Sequence, residues 1–414
     1  MTAYRPRIVD AQLKQALTVA GAVVLEGSKA CGKTTTAEQV CSSAVRLDRD
    51  SRLRTAGWAD PDSLLPGAVP RLIDEWQLVP EVWNAVRAAV DDRGEKGQFV
   101  LTGSATPADD ATRHSGAMRF LRVAMRPMSL VESGESTGTV SLASLWRGEP
   151  PPAEPTPSRL EDVAVAACRG GWPGLIDMDP SPAQDLTRAY LRLVASADIV
   201  TVDGVRRDPR KVEALLNALA RNTATYVSNR VLRTDSAEFG QAVDPTTIRS
   251  YLDALTRLWV LVPQHAWGGH LRSHAPARKA PKRHLADPSM AAAAMGADPA
   301  DLLADHAVFG QVFETLAFRD LSVYAQANRL DVRSFQDSKG NEIDAVVVQG
   351  TKWAGVEVKL SATEVVVDSA ASNLLAIAAR MASRPKFLAV LVASGPTYTR
   401  PDGVHVVSVA HLGP

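Results

Sequence analysis

Eight consecutive residues, Gly27-Ser28-Lys29-Ala30-Cys31-Gly32-Lys33-Thr34, constrain this chain more than any other part of it. They follow G-x-x-x-x-G-K-[ST] at every position. In that pattern glycines let the backbone wrap an anion, and successive N–H groups point inward at phosphate oxygens. The preceding Ala22-Val23-Val24-Leu25-Glu26 reads as a strand, and Lys33 to Val40 as the helix after it. A helix starting there turns the positive end of its dipole toward the anion. Lys33 would reach the β- and γ-phosphates of a nucleoside triphosphate, and the Thr34 hydroxyl would ligate magnesium. Gly27 through Thr35 are therefore the expected nucleotide-binding residues.

The flanking pattern supplies a sheet for this loop. Ala44 to Leu47, Val69 to Ile73, Gln98 to Thr102 and Phe120 to Met125 read as further strands, with Glu81 to Val90 a helix. Alternating strands and helices imply an α/β parallel sheet with ligands at the carboxyl ends of the strands. Leu72-Ile73-Asp74-Glu75 ends one strand with two acids. Asp74 would hold the magnesium shell, and Glu75 would act as general base on the attacking water. Leu101-Thr102-Gly103-Ser104 ends the next strand, and either Thr102 or Ser104 could contact the γ-phosphate or orient the water. Phosphate loop, Asp-Glu strand end and polar strand end together resemble the AAA+ class of P-loop ATPases. The resemblance covers the first third of the chain. It implies ATP as ligand and an arginine finger from a neighbouring subunit in a homo-oligomer. Arg113, Arg119, Arg122 and Arg126 follow the polar strand, with Arg119 the first choice for that catalytic role.

At 414 residues the chain is long enough for two or three domains. Glu149 to Pro157, EPPPAEPTP, is a proline-rich break that marks the first boundary. The expected division is an ATPase domain over 1–148, a helical winged-helix-like region over 158–290, and an α/β domain over 300–414. In the middle region, Tyr226-Val227-Ser228-Asn229 and then Asp244-Pro245-Thr246-Thr247-Ile248-Arg249-Ser250-Tyr251-Leu252-Asp253-Ala254-Leu255 look like a winged-helix pattern. Asp244 would cap the second helix, and Ile248, Leu252 and Leu255 would form its apolar face. Thr247, Arg249 and Ser250 would be exposed, either to meet DNA or on a helix pair that only packs. Trp259 to Val262 reads as a wing strand. Arg272, His274, Arg278, Lys279, Lys282, Arg283 and His284 then form a basic stretch, which reads equally as a phosphate-neutralising surface or as a solvated loop.

The last third returns to mixed helix and strand. Phe309 to Ala317 reads as a helix carrying Glu314, Asn341 to Val348 as a strand carrying Asp344, and Gly355 to Lys359 as a strand placing Glu357 and Lys359 on one face. Asp344 and Glu357 could bind a divalent metal through oxygen, a second such ion beside the one expected with ATP. The order helix-Glu, strand-Asp, strand-Glu-x-Lys resembles the PD-(D/E)xK nuclease superfamily, with Ile343 where a proline is common. A restriction-endonuclease-like fold follows from the resemblance, and cleavage stays open. As a whole the chain resembles a prokaryotic AAA-type ATPase family with a C-terminal domain of unknown function, from Arg5-Pro6-Arg7 through Leu285-Ala286-Asp287-Pro288 to Glu357-Val358-Lys359.

Bulk properties bound these readings. Lys plus Arg equals Asp plus Glu at 46 each, so a nucleic-acid site must be a local patch rather than a basic whole. Three cysteines, Cys31, Cys41 and Cys168, make no disulfide framework and show no metal-ligand spacing. The polar first ten residues and the lack of a long apolar run lead us to expect a cytoplasmic protein with no membrane partner. Two functions fit: an ATPase coupled to a nucleic-acid-directed nuclease-like domain, or a nucleotide-dependent switch that binds DNA or protein through a non-catalytic nuclease-like fold.

Overall fold

The computed structural model describes residues 4–105, 116–155, 159–239, 244–269, 280–337 and 339–414. The chain divides into two compact units. One holds Met1–Pro127, Ala197–Arg206 and Asp253–Val260; the other holds Met128–Ser196, Arg207–Leu252 and Leu261–Pro414.

In the first unit, strands β1 (Ala22–Glu26), β2 (Ser43–Arg46), β3 (Arg71–Asp74), β4 (Phe99–Gly103) and β5 (Phe120–Ala124) form one parallel sheet, in the order β2-β3-β4-β1-β5. β1 and β4 are buried at every position, as strands covered on both faces must be, which is why both read as apolar runs up to Glu26 and Thr102 at their carboxyl ends. The helix Val82–Arg93 buries Val82, Trp83, Val86 and Val90, one helical face, against Ala22, Val24, Phe99 and Leu101. The insertion of β4 between β1 and β3 brings three strand ends side by side at the carboxyl rim.

The second unit begins ahead of the proline-rich segment. That segment is not a free connection, since Glu154 and Thr397 exchange two backbone hydrogen bonds of 3.0 Å. The short strands β6 (Val140–Ser141) and β15 (Leu412–Gly413) also pair, closing the unit between its chain ends. Helices Leu160–Arg169, Pro180–Ser196, Pro209–Arg221 and Asn229–Glu238 lead to a hairpin of β7 (Leu261–Gln264) and β8 (Lys282–Leu285). Asp244 caps the helix Pro245–Arg257, accepting 3.0 Å bonds from the N–H groups of Thr246 and Thr247. Ile248, Leu252 and Leu255 are buried as their spacing requires.

Two expectations for this region change. Of the residues expected to face outward, Arg249 and Ser250 are exposed, Ser250 with its hydroxyl 3.2 Å from the Arg207 guanidinium, while Thr247 is half-buried and turns its hydroxyl back onto Asp244. The three described residues of the basic stretch, Lys282, Arg283 and His284, form no solvated loop or phosphate surface. Lys282 and His284 are buried on β8, and Arg283 donates to the Val227 carbonyl and, at 2.9 Å, to Asn229 Oδ1. The two-residue alternation of a strand turns Lys282 and His284 inward together. Arg272, His274, Arg278 and Lys279 lie outside the described residues.

After the helix His306–Ala327 come β9 (Asp331–Gln336), β10 (Glu342–Gln349), β11 (Lys352–Ser361), β12 (Leu388–Ser394), β13 (Tyr398–Thr399) and β14 (His405–Ser408). They form a mixed sheet in the order β13-β14-β12-β11-β10-β9, antiparallel through β9, β10 and β11, then parallel through β12 and β14. The helix Glu364–Ala378 makes the crossover from β11 to β12. It packs Val367, Ala370, Ala371, Leu374 and Ile377 on the sheet. Among the described residues no helix is long and apolar enough to cross a membrane.

Candidate active site

The loop after β1 is held from both sides. A Cβ on Gly27 would stand 1.9 Å from the Met125 carbonyl oxygen, so only glycine admits that close approach. Gly32 takes φ +102°, a left-handed turn that feeds the chain into the helix Lys33–Glu38. The buried Lys33 ammonium donates to the carbonyls of Gly27 at 2.9 Å and Ser28 at 2.7 Å. Ser28 Oγ donates to the Trp259 carbonyl at 2.8 Å, and Lys29 pairs with Asp198 at 3.0 Å. The Cys31 thiol is buried against the Met125 carbonyl at 3.6 Å; Ala30 and Thr35 are exposed. One brace escaped sequence reading: the Arg7 guanidinium donates to the carbonyls of Cys31 and Arg126, each at 2.8 Å. Its place in the Arg5-Pro6-Arg7 lead-in was visible, but its reach into the loop is a tertiary contact.

The neighbouring strand ends divide their work. Asp74 Oδ1 accepts the Thr34 hydroxyl at 2.7 Å and the Thr102 hydroxyl at 2.5 Å. Burial pushes the Asp74 carboxyl above its ordinary value, against those two donors, which pull it down. Glu75 follows in the left-handed region at φ +54°, an uncommon place for a residue with a side chain. Its Oε2 accepts from Ser104 Oγ at 3.1 Å and from Gln77 Nε2. Thr102 thus belongs with Asp74, and Ser104 with Glu75. Gln77 was missed because no motif marks it; only the turn after β3 brings it back to Glu75. The Thr34 hydroxyl and the Asp74 carboxylate are hard oxygen donors of the kind that fit magnesium, which takes few protein ligands and completes its shell with water and phosphate.

Arg119, the first choice among the arginines, does not join this site within the unit. Arg119 directly precedes Phe120, which pairs with Ala22, so it stands at the amino ends of the strands, opposite the loop. There it binds Asp91 at 2.8 Å. Arg122 pairs with Glu26, and Arg113 lies outside the described residues.

A second cluster lies in the other unit, where the antiparallel register of β10 and β11 sets Asp344 opposite Glu357. Glu314, Asp344, Glu357 and Lys359 do converge. Lys359 Nζ is 3.2 Å from Asp344 Oδ2 and 2.7 Å from Glu357 Oε2. The sequence reading overlooked two members. Lys282 Nζ lies 2.6 Å from Glu314 Oε1 and 3.3 Å from Asp344 Oδ1, and Asn373 Nδ2 donates to Glu357 Oε1 at 3.0 Å. Burial, with Asp344 beside it, pushes Glu314 up to about 8 and Glu357 up to about 7. Burial also raises Asp344, but the Lys282 and Lys359 charges and the Val358 N–H outweigh it and hold that carboxyl below its ordinary value. Among the described residues no group of three or more His, Cys, Asp or Glu is arranged to hold a metal ion. The expected second metal site is thereby corrected: the carboxylates meet, but lysine ammonium groups stand between them.

This cluster gives stability a pH dependence. Glu314 and Glu357 have folded-state values above the ordinary 4.5. Their stabilising contribution is therefore full below that value and lost as pH rises through about 7 to 8. Between about pH 5 and about pH 8.5, the thermal midpoint of the wild type should fall by ~3 °C more than that of Glu314→Gln. Parallel profiles would contradict the assignment.

A loop of this geometry on a central strand, with an acidic strand end across one intervening polar strand, is the arrangement of a phosphate-loop nucleotide-binding domain. Residues 20–133 match the family model described as an AAA domain. Residues 160–301 and 309–412 match two domains of unknown function (DUF8612 and DUF4143). Uncharacterised proteins of Mycobacterium tuberculosis (Rv2008c) and Mycobacterium bovis (Mb2031c) are each 26% identical over 377 residues, covering 89% of this chain and 77% of theirs. Among solved structures, the Walker-type ATPase PABY2304 of Pyrococcus abyssi is similar with a TM-score of 0.41 at 16% identity, covering 69% of this chain and 94% of that one.

Proposed function

We propose that this chain is a magnesium-dependent ATPase whose nucleotide cycle serves a nucleic-acid-directed C-terminal unit with a nuclease-like core. One observation carries the ATPase reading: the Thr34 hydroxyl and Asp74 carboxylate meet at 2.7 Å beside the buried Lys33, with Glu75 held next to them. Gly27 to Thr35 cradle the triphosphate, and Lys33 exchanges its two loop carbonyls for phosphate oxygens. Thr34 and Asp74 would hold magnesium, which when bound neutralises charge on the phosphates. Glu75, oriented by Gln77 and Ser104, takes the proton of the attacking water. An arginine of a second copy, Arg119 first among them, completes the site.

The order of elements around Glu314, Asp344, Glu357 and Lys359 supports the nuclease-like reading. The capped helix Pro245–Arg257 and the β7–β8 hairpin support a winged-helix element with Arg249 exposed on it. The alternative, a nucleotide-dependent switch with a non-catalytic core, is favoured by the lysines that already satisfy the acidic cluster. Duplex DNA retention tests the coupling, and plasmid cleavage separates the readings. Glu75→Gln loaded with ATP and magnesium should hold DNA at least ~10-fold more tightly than the same protein without nucleotide. Binding indifferent to nucleotide would overturn the coupling. Plasmid nicking abolished by Lys359→Ala would select the cleaving form, and an intact plasmid the switch.

A further inference from the structure

The acidic cluster of the C-terminal unit already contains its cations. The Lys282 ammonium sits 2.6 Å from Glu314 Oε1 and 3.3 Å from Asp344 Oδ1, on a side chain only 2% exposed. The Tyr226 ring lies 5.6 Å from that ammonium. Lys359 occupies Asp344 Oδ2 and Glu357 Oε2, the Val358 N–H adds a 2.9 Å bond to Asp344 Oδ2, and Asn373 takes Glu357 Oε1. A divalent cation would need lone pairs of these same oxygens at about 2.0–2.6 Å. Ammonium groups at hydrogen-bond distance use those lone pairs and repel an incoming ion at short range. The donor set as arranged does not fit a metal.

The two lysines differ in how firmly they are held. Lys359 is one-third exposed, so its head can swing to water without leaving its strand. Lys282 cannot. It stands in register with Gln264 across the hairpin, and the next inward residue, His284, is buried between Gln264 and Thr315. Withdrawing Lys282 would strand a buried ammonium without a carboxylate or break the β7–β8 pairing, and either is costly.

We infer that Lys282 is the resident cation of this core, standing where a nuclease-like fold would otherwise hold its metal, so that the C-terminal unit does not cut nucleic acid unless Lys282 is displaced. The inference rests on the nuclease-like reading of the core and is independent of the ATPase reading. It also makes the core a latent metal site: with the ammonium gone, Glu314 and Asp344 would face one another across the space it filled, with Glu357 joined to Asp344 through Lys359.

Iron(II) affinity cleavage on the full chain tests this, because bound iron with ascorbate and peroxide cuts the backbone beside its ligands and mass spectrometry maps the cuts. In the wild type with ATP, cuts are expected beside Thr34 and Asp74, an internal control, and none beside Asp344 or Glu357. Lys282→Met, which keeps the stem and removes the charge, should add cuts beside Asp344 and Glu357 and gain about one bound manganese ion per chain. Lys282→Met combined with Asp344→Asn should lose both gains. Wild-type cuts beside Asp344 would overturn the inference while leaving the nuclease-like reading in place. A Lys282→Met protein that keeps its ATP turnover and far-ultraviolet dichroism yet gains neither cuts nor manganese would overturn both. Should Lys282→Met fail to fold, the wild-type map decides alone: control cuts without cuts beside Asp344 support the inference, and cuts there refute it.

Discussion

Lys33→Ala is expected to weaken ATP binding by roughly 100-fold or more, the largest effect on affinity of any single change in the chain. The buried Lys33 ammonium donates to the Gly27 and Ser28 carbonyls, so the loop is shaped around it. Phosphate oxygens are charged acceptors and would take over those donors on binding. Hydrogen bonds to charged groups contribute about 1.5–3 kcal/mol each, and two of them account for a factor of that size. Alanine removes the donors and leaves two loop carbonyls to find others. Calorimetric titration with ATP and magnesium measures the loss. An affinity within about threefold of wild type would mean that backbone N–H groups alone hold the triphosphate.

Glu75→Gln is expected to separate binding from turnover, lowering kcat by roughly 100-fold or more while leaving the dissociation constant for ATP nearly unchanged. The two acids after β3 are not equivalent. Asp74 is occupied by the hydroxyls of Thr34 and Thr102, which suits it to the ion shell. Glu75 sits in a strained left-handed conformation, its carboxylate aimed by Ser104 and Gln77. A glutamine there keeps the size and the hydrogen bonds but cannot accept a proton. Asp74→Asn should behave differently and weaken binding of the magnesium–ATP pair as well. Single-turnover hydrolysis beside equilibrium binding distinguishes the two patterns; equal losses in binding for both variants would merge their roles.

The parallel sheet was legible because its central strands are apolar up to their polar carboxyl ends and its loop obeys a motif whose glycines are required by backbone geometry. The pairing of Asp74 with Thr34 followed from motif order alone. The partition of Thr102 and Ser104 did not, because it depends on which way each side chain leaves the strand end. Arg7 and Gln77 were invisible for a similar reason: they act across folded distance, with no spacing signal. In the last third, strand alternation correctly placed Glu357 beside Lys359, and the register then brought Asp344 opposite. Lys282 reads in sequence, with its neighbours, as part of a basic surface or a solvated loop, since charge density along a sequence says nothing of burial. Its alternation with His284 was the available clue. The compact division after Pro127 also went unseen, because the prolines at 150–152 resemble a linker while Glu154 pairs with Thr397.

Hydrolysis at the Gly27–Thr35 site is tested most directly by release of inorganic phosphate from ATP by the purified chain. Turnover is expected with magnesium, none after chelation, and a loss of roughly 100-fold in Glu75→Gln under saturating nucleotide. Turnover that survives chelation, or that Glu75→Gln leaves intact, would contradict the site as described.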